Sequence, residues 1–355
     1  MLPRLLGQGA ILAVAFVGGL AAATSGVPAG WMSGAMVAVT AFAATGRAKP
    51  FLPPLRDFVI VLTGVSMGSG ATPDALGALL HYPLSIVTMA VAVGAMTASA
   101  YAVLSRSPGF SRATALFASI PGALSYVFVA AQGTTADMPR VAITQVFRLF
   151  VLMAVVPLLA SRLGASPPPS TAFDPALTTL VLAVCSFALA FALTALKIAP
   201  PYLYAAIGVS ALAHATGIAP GRPDPTIQLA TQVLVGGWVG TRFIGFDWSL
   251  LRSLIWAAFG AFAAALAAAA AFAALSAALT KAPYVQVLVA FAPGGLEAMT
   301  MMAFALGLDP MFVGAHHLAR FLLISLALPL VARLVAGTPP PAKQVPRNMI
   351  VAQDD

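Results

Sequence analysis

Twelve apolar stretches follow one another along this chain, separated by loops too short to fold on their own. They lie at about 7–24, 30–46, 57–71, 82–104, 112–132 and 139–160, then at 175–196, 202–218, 226–243, 252–280, 284–306 and 311–335. A helix needs about 20 apolar residues to cross ~30 Å of hydrocarbon, and most of these stretches are of that order. With 60% hydrophobic and only 8% charged residues, a chain of 355 residues lacks the polar surface to clothe a soluble fold. Its stretches are rich in Ala, Leu and Gly and show no alternation in ~10-residue units, which excludes barrel strands. The sequence predicts an all-α, polytopic membrane protein whose first partner is the lipid bilayer.

The chain also repeats itself at a spacing of 172 residues. Residues 116–159 set over 288–331 match without a gap at 11 of 44 positions. Pro121, Gly122, Asp137, Arg148 and Pro157 fall on Pro293, Gly294, Asp309, Arg320 and Pro329. A shared taste for Ala and Leu cannot produce those matches, so two copies of one unit pack together. The domains read as a first membrane repeat over 1–163, a Pro-rich linker over 164–174, a second repeat over 175–337 and a polar tail over 338–355. The start of the chain, Arg4 followed by an apolar run, has the look of a signal peptide. Its counterpart at 175–196 is internal, so the first span is expected to stay.

Each half holds five or six spans, according to whether 112–132 and 284–306 cross the bilayer or dip in and return. Full crossing makes the halves parallel and puts twelve Lys and Arg on the cytoplasmic side against four outside. Dipping makes them inverted and gives thirteen against three. Both counts leave the two termini in the cytoplasm, and the charge rule does not choose between them; inverted repeats around interrupted helices are a common transporter plan, and favoured here. Retention of positive charge also accounts for the net charge of +8 without a nucleic-acid partner. The single cysteine, Cys185, lies within a span, so disulfides contribute nothing.

The Pro-Gly pairs mark the first site feature. Proline removes a helix donor, glycine tolerates the bend that results, and backbone groups freed in lipid survive only where protein or water satisfies them. Around Pro121, Gly122 and Ser125, and around Pro293, Gly294, Gly295 and Glu297, the break predicts a half-helix amino terminus inside the membrane, an end suited to an anion. Arg148 and Arg320 form the second. Each stands near the middle of its span, about 14 Å from either end at 1.5 Å per residue, beyond the reach of snorkelling. They must face a wet cavity, a carboxylate or the opposite half. Glu297, opposite Ser125, is placed to titrate, either in a structural ion pair with Arg320 or as carrier of a coupling proton. His316, one helical turn before Arg320, shares its face, while His317 lies about 100° round. Adjacent histidines point apart and no ligand stands at metal spacing beside them, so no metal and no cofactor is expected.

Asp137 and Asp309 each stand just before a proline at the first or second helical position and read as amino-terminal caps. Gly64 and Gly68 pair with Gly236 and Gly240 at the same spacing and read as helix-packing positions.

The motifs PGALS with Arg148, and PGGLEAM followed by GLDPMFVGAHHLARFLL, resemble the duplicated AbrB-type integral membrane family over roughly residues 8–336. Members of that family carry labels as ammonia monooxygenases or as regulators of gene expression. The resemblance implies a bacterial inner-membrane location and a regulatory label. The family shares its name with a small soluble DNA-binding regulator, which this chain cannot be. One cysteine and four scattered histidines (His81, His214, His316, His317) offer no copper or iron site for the monooxygenase label. Ala123 and Tyr126 depart from the PGG pattern, so the anion-cradling role falls to the second copy. The reading is a permease for a small anionic solute, proton-coupled through Glu297 and not an enzyme, with a second copy of the chain as a further candidate partner. Its rival is a membrane-embedded regulator that acts through a protein partner.

Overall fold

In the computed structural model the described residues are 2–71, 82–122, 127, 130, 131, 134–164, 173–196 and 201–335. Thirteen α-helices fall among them. The first six are α1 (Leu2–Thr24), α2 (Gly30–Ala44), α3 (Pro53–Gly68), α4 (Tyr82–Leu104), α5 (Arg112–Ser119) and α6 (Met138–Arg162). After the linker come α7 (Ala176–Ala195), α8 (Pro201–Ala215), α9 (Pro225–Gly240), α10 (Trp248–Thr280), α11 (Tyr284–Phe291), α12 (Leu296–Ala305) and α13 (Pro310–Val335). Shifting α3 and α5 by 172 residues reproduces the bounds of α9 and α11. Six of the helices are long and apolar enough to cross a membrane: α1, α4, α6, α7, α10 and α13. The protein is a multi-pass helical membrane protein.

Lipid tails are as apolar as the helices, so burial of apolar surface does not drive the helices together; close contact does. Small residues provide it. A Cβ on Gly236 would lie 2.1 Å from the Met32 carbonyl oxygen, and one on Gly240 2.8 Å from that of Met36, so α9 lies against α2 backbone to backbone. Gly64 and Gly68 press on α8 in the same way, 2.6 Å from the Cβ atoms of Ala206 and Ser210. The peripheral pair α4 and α10 meets along the alanine stripe Ala258, Ala261, Ala265, Ala269 and Ala273. The opposite flanks of these helices, with Val87, Val91, Trp256 and Phe259, are exposed.

Contact partners fix the helix directions. Along α2 and α9 the contacts advance together, Met32 with Gly236 and Met36 with Gly240, so the two helices run parallel. Leu203 and Ala206 with Gly64, then Ser210 with Gly68, make α3 and α8 parallel as well. Each helix thus lies alongside the counterpart of its chain neighbour. Since α2 and α3 are consecutive and joined by a short loop, they run in opposite directions, and so do α3 and its own counterpart α9. Both parallel contacts are compatible with the inverted arrangement; six full crossings per half would make both cross-half pairs antiparallel.

The interrupted stretches agree. The Asp137 N–H, at the start of α6, donates to Thr114 Oγ1 in the first turn of α5 at 2.9 Å. Equivalently, the Asp309 N–H donates to Gln286 Oε1 in the first turn of α11 at 3.4 Å. The chain therefore re-emerges beside the point where it entered. The stretch 284–306 is a hairpin that dips into the bundle, and α6 and α13 run parallel to α5 and α11.

Asp137 and Asp309 cap α6 and α13. The Asp137 carboxylate accepts from the Arg140 N–H at 3.1 Å, and that of Asp309 from Met311 and Phe312 at 2.8 and 3.1 Å. The last residue of the linker is anchored. Asp174 is buried, its backbone N–H donates to Arg222 at 2.8 Å, and its carboxylate accepts from Gly221 at 2.9 Å and stands 3.5 Å from His214 Nε2.

Candidate functional site

Proline explains where α5 and α11 stop. The residue before a proline is driven to extended backbone, and Ile120 (φ −63°, ψ 123°) and Ala292 (φ −54°, ψ 139°) adopt it. Each half-helix thereby ends deep in the bundle with carbonyls that have no helical partner. In both halves the arginine of the next long helix supplies the donor. Arg148 Nη1 donates to the Ile120 carbonyl at 3.1 Å and Arg320 Nη1 to that of Ala292 at 2.7 Å. Three residues earlier on the same helices, Gln145 Nε2 donates to Phe117 O at 2.8 Å and His317 Nε2 to Val289 O at 3.2 Å. Donor and acceptor stand 28 residues apart in all four bonds, so the duplication repeats the wiring as well as the sequence.

The two helix breaks approach each other. Gly122, with φ 86°, a conformation that side chains rarely adopt, lies against the Arg320 guanidinium and the Gly294 carbonyl, 3.7 and 3.8 Å from where its Cβ would be. From the other side Leu152 of α6 packs 3.0 Å from the equivalent point of Gly294. Beyond the second break, α12 begins at Leu296 with Gly295 as its cap residue and no side-chain cap. The first N–H groups of a helix have no partner within the helix, and a helix amino terminus suits an anion. Glu297 is the second residue of this helix. Its side chain, and the Ser125 that stands opposite it in the first copy, lie outside the described part of the structure.

The two arginines are held differently. Arg320 also donates through Nη2 to the Gly294 carbonyl and, at 2.6 Å, to His317 Nδ1. A guanidinium can only donate, so His317 is a neutral imidazole protonated on Nε2, the atom that faces Val289. Arg148 has its one bond to Ile120, and its Nε is buried without a partner. Both side chains are more than nine-tenths buried. Among the described residues no carboxylate stands within ion-pair distance of either.

His316 goes elsewhere. Its Nδ1 donates to Phe312 O at 2.7 Å and its Nε2 accepts from Ser85 Oγ at 2.7 Å, tying α13 to α4. The i,i+3 neighbour His317, rather than the i,i+4 neighbour His316, is the one that meets Arg320, since the guanidinium turns towards the broken helix where His317 also points. Ser85 carried no signal in the sequence, being one hydroxyl among many. An apolar crevice of about 480 Å³ between α4, α5 and α13 reaches Ile120 from the lipid side. At the mouth above α12, Arg222 lies over the Phe304 ring at 5.5 Å; partial burial pulls its pKa below the ordinary value, against the opposing pull of Asp309. No cluster of three or more His, Cys, Asp or Glu able to hold a metal occurs among the described residues.

Two helix breaks that approach each other at Gly122 and Gly294, with a buried arginine behind each, belong to a polytopic membrane protein. Over residues 31–336 the chain matches the model of the AbrB family, described as transition state regulatory protein AbrB, and it belongs to that family. It is also similar to the uncharacterized protein YhjN of Bacillus subtilis (strain 168), 22% identical over 352 residues that cover 91% of this chain and 92% of that protein.

Proposed function

We propose that the protein is an inner-membrane carrier for a small anionic solute, with both termini in the cytoplasm. One observation carries this reading: two guanidinium groups are buried together at the meeting point of two broken helices, beside the uncapped amino terminus of α12, with no described carboxylate to neutralise them. A buried charge without a partner costs several kcal/mol by order of magnitude, and an anion drawn between the hairpins removes that cost. Inverted hairpins offer such a site equivalent access from both faces. Glu297, at the start of α12, couples the cycle to protons by titrating next to the anion. The chain carries the solute and does no chemistry on it.

The test is flux. Full-length protein in liposomes loaded with a pH-sensitive dye is challenged with acetate, lactate, succinate, malate and phosphate. At least one anion should drive a proton flux absent from empty liposomes, at least about ten-fold lower in Arg320→Gln and in Glu297→Gln; that factor corresponds to 1.4 kcal/mol. Absence of flux with every anion, together with a protein partner whose binding survives both substitutions, would establish the membrane-regulator reading that the family's description favours.

A further inference from the structure

Resting on the carrier reading, we infer that the solute docks on the first repeat, against Thr144, Gln145 and Arg148, and that it carries a hydrogen-bond donor of its own beside its negative charge. The argument is a count of unmade bonds in two clusters that are equivalent by sequence. In the second repeat both rings and both Nη groups of the arginine are engaged: His316 by Phe312 and Ser85, His317 by Val289 and Arg320, and Arg320 through Nη1 by Ala292 and through Nη2 by Gly294 and His317. The first repeat has the same two links to its half-helix but not the others. Thr144 Oγ1, Gln145 Oε1 and Arg148 Nε are each buried with no hydrogen-bond partner, on residues that are 3, 4 and 8% exposed.

Leaving such groups unpaired inside a protein is costly, and native structures rarely do it without a purpose. The three atoms specify what would satisfy them. Arg148 Nε is a donor and calls for an acceptor, best a charged one. The Gln145 amide cannot be turned round, because its NH2 group is committed to Phe117 O; its unpaired oxygen therefore calls for a donor. Thr144 Oγ1, one helical turn before Arg148 on the same face, can serve either way. A carboxylate bearing a hydroxyl or an ammonium group meets all three demands, and a plain carboxylate leaves Gln145 unsatisfied. The sequence pattern alone favoured the second copy; there, however, the protein's own groups already take up both Nη groups of Arg320 and both ring nitrogens of His317, so Arg320 and His317 hold the broken helix in place and are positioning residues.

The purified full-length protein is titrated with three probe pairs that differ by one hydroxyl: glycolate and acetate, lactate and propionate, malate and succinate. Its melting temperature is the readout. The hydroxylated member of at least one pair is expected to act at a concentration about ten-fold lower than its plain partner. Gln145→His copies the second repeat: its Nε2 keeps the bond to Phe117 and its Nδ1 gives Arg148 the acceptor that Arg320 has. It should leave the melting temperature without probe at or above wild type and abolish the response to both members. A wild-type response equal within every pair, or one that survives Gln145→His and Arg148→Gln but is lost in Arg320→Gln, overturns this assignment while leaving an anion carrier in place. No response to any carboxylate in the wild type also overturns this assignment, whereas the carrier reading falls only if no anion, phosphate included, drives the proton flux.

Discussion

Arg320 donates to His317 Nδ1 at 2.6 Å, and the same imidazole donates through Nε2 to Val289. One neutral ring thus bridges the buried guanidinium to the half-helix in front of it. Replacing His317 by Ala removes the acceptor of Arg320 and strands the Val289 carbonyl, at a cost of about 1–3 kcal/mol for the buried groups left unpaired. His317→Gln restores the bond to the carbonyl, as Gln145 does in the first repeat, and should recover at least half of the loss. Thermal unfolding in detergent checks both; an alanine variant as stable as wild type would show that the ring holds nothing.

Contacts in a lipid-exposed bundle should be most sensitive where backbones touch. Gly236→Ala drives a methyl against the Met32 carbonyl, 2.1 Å away, which neither helix can yield without moving apart. Overpacking of this kind costs typically about 1–3 kcal/mol. Gly208→Ala in α8 meets nothing within 4 Å and should be neutral or slightly stabilising, since alanine is the better helix former. Comparable melting temperatures for the two variants would contradict the packing of α9 on α2.

Much of this was legible because Pro, Gly, Asp and Arg mark backbone events. The pair Pro121 and Pro293 announced the breaks, Asp137 and Asp309 the helix starts, and Arg148 and Arg320 a buried charge with something to satisfy. Hydropathy, by contrast, reads a hairpin and a crossing alike, because both are apolar runs of about 20 residues. Directions emerged only from Asp137 touching Thr114 and from the parallel contacts of α2 with α9. The choice of His317 over His316 depends on which way a guanidinium turns, and helical spacing places both histidines within its reach. Asp174 reads as linker in a Pro-rich sequence, since its partners Gly221 and His214 lie 40 or more residues away.

The Asp174 anchor has a measurable weight. Asp174→Ala strands the Gly221 N–H and frees the linker from the end of α8, which should cost about 1–3 kcal/mol as a buried donor loses its acceptor. Asp174→Asn keeps the acceptor and should lose less. Limited proteolysis between the halves, faster in the alanine variant than in wild type, is the expected companion result; unchanged cleavage and stability would mean the anchor carries no load.

Acid should reveal the cap of α10. The Leu250 N–H, followed by the Ser249 hydroxyl, holds the exposed Asp247 carboxyl below its usual range. With its pKa depressed on folding, Asp247 stabilises the protein fully above about pH 4, the unfolded value, and loses that contribution as the pH falls through the folded one. The difference in melting temperature between wild type and Asp247→Ala should be constant from pH 7 to about pH 4 and shrink below. A difference that already shrinks near pH 6 would assign the acid sensitivity to another group.

The hairpins make a prediction about sidedness that full crossings reverse. In a Cys185→Ser background, single cysteines at Arg112 and Thr135 flank the first hairpin, and single cysteines at Pro283 and Leu308 flank the second. Since α5 and α6 start side by side, as do α11 and α13, the first two positions should react with an impermeant maleimide from one side of the membrane and the last two from the opposite side. A stretch that crossed completely would split each pair, labelling Arg112→Cys and Thr135→Cys from different faces. The five-crossing arrangement further requires the first pair to be cytoplasmic, where thirteen Lys and Arg gather against three. Labelling of that pair from outside intact cells would turn the molecule over and place its termini on the wrong side.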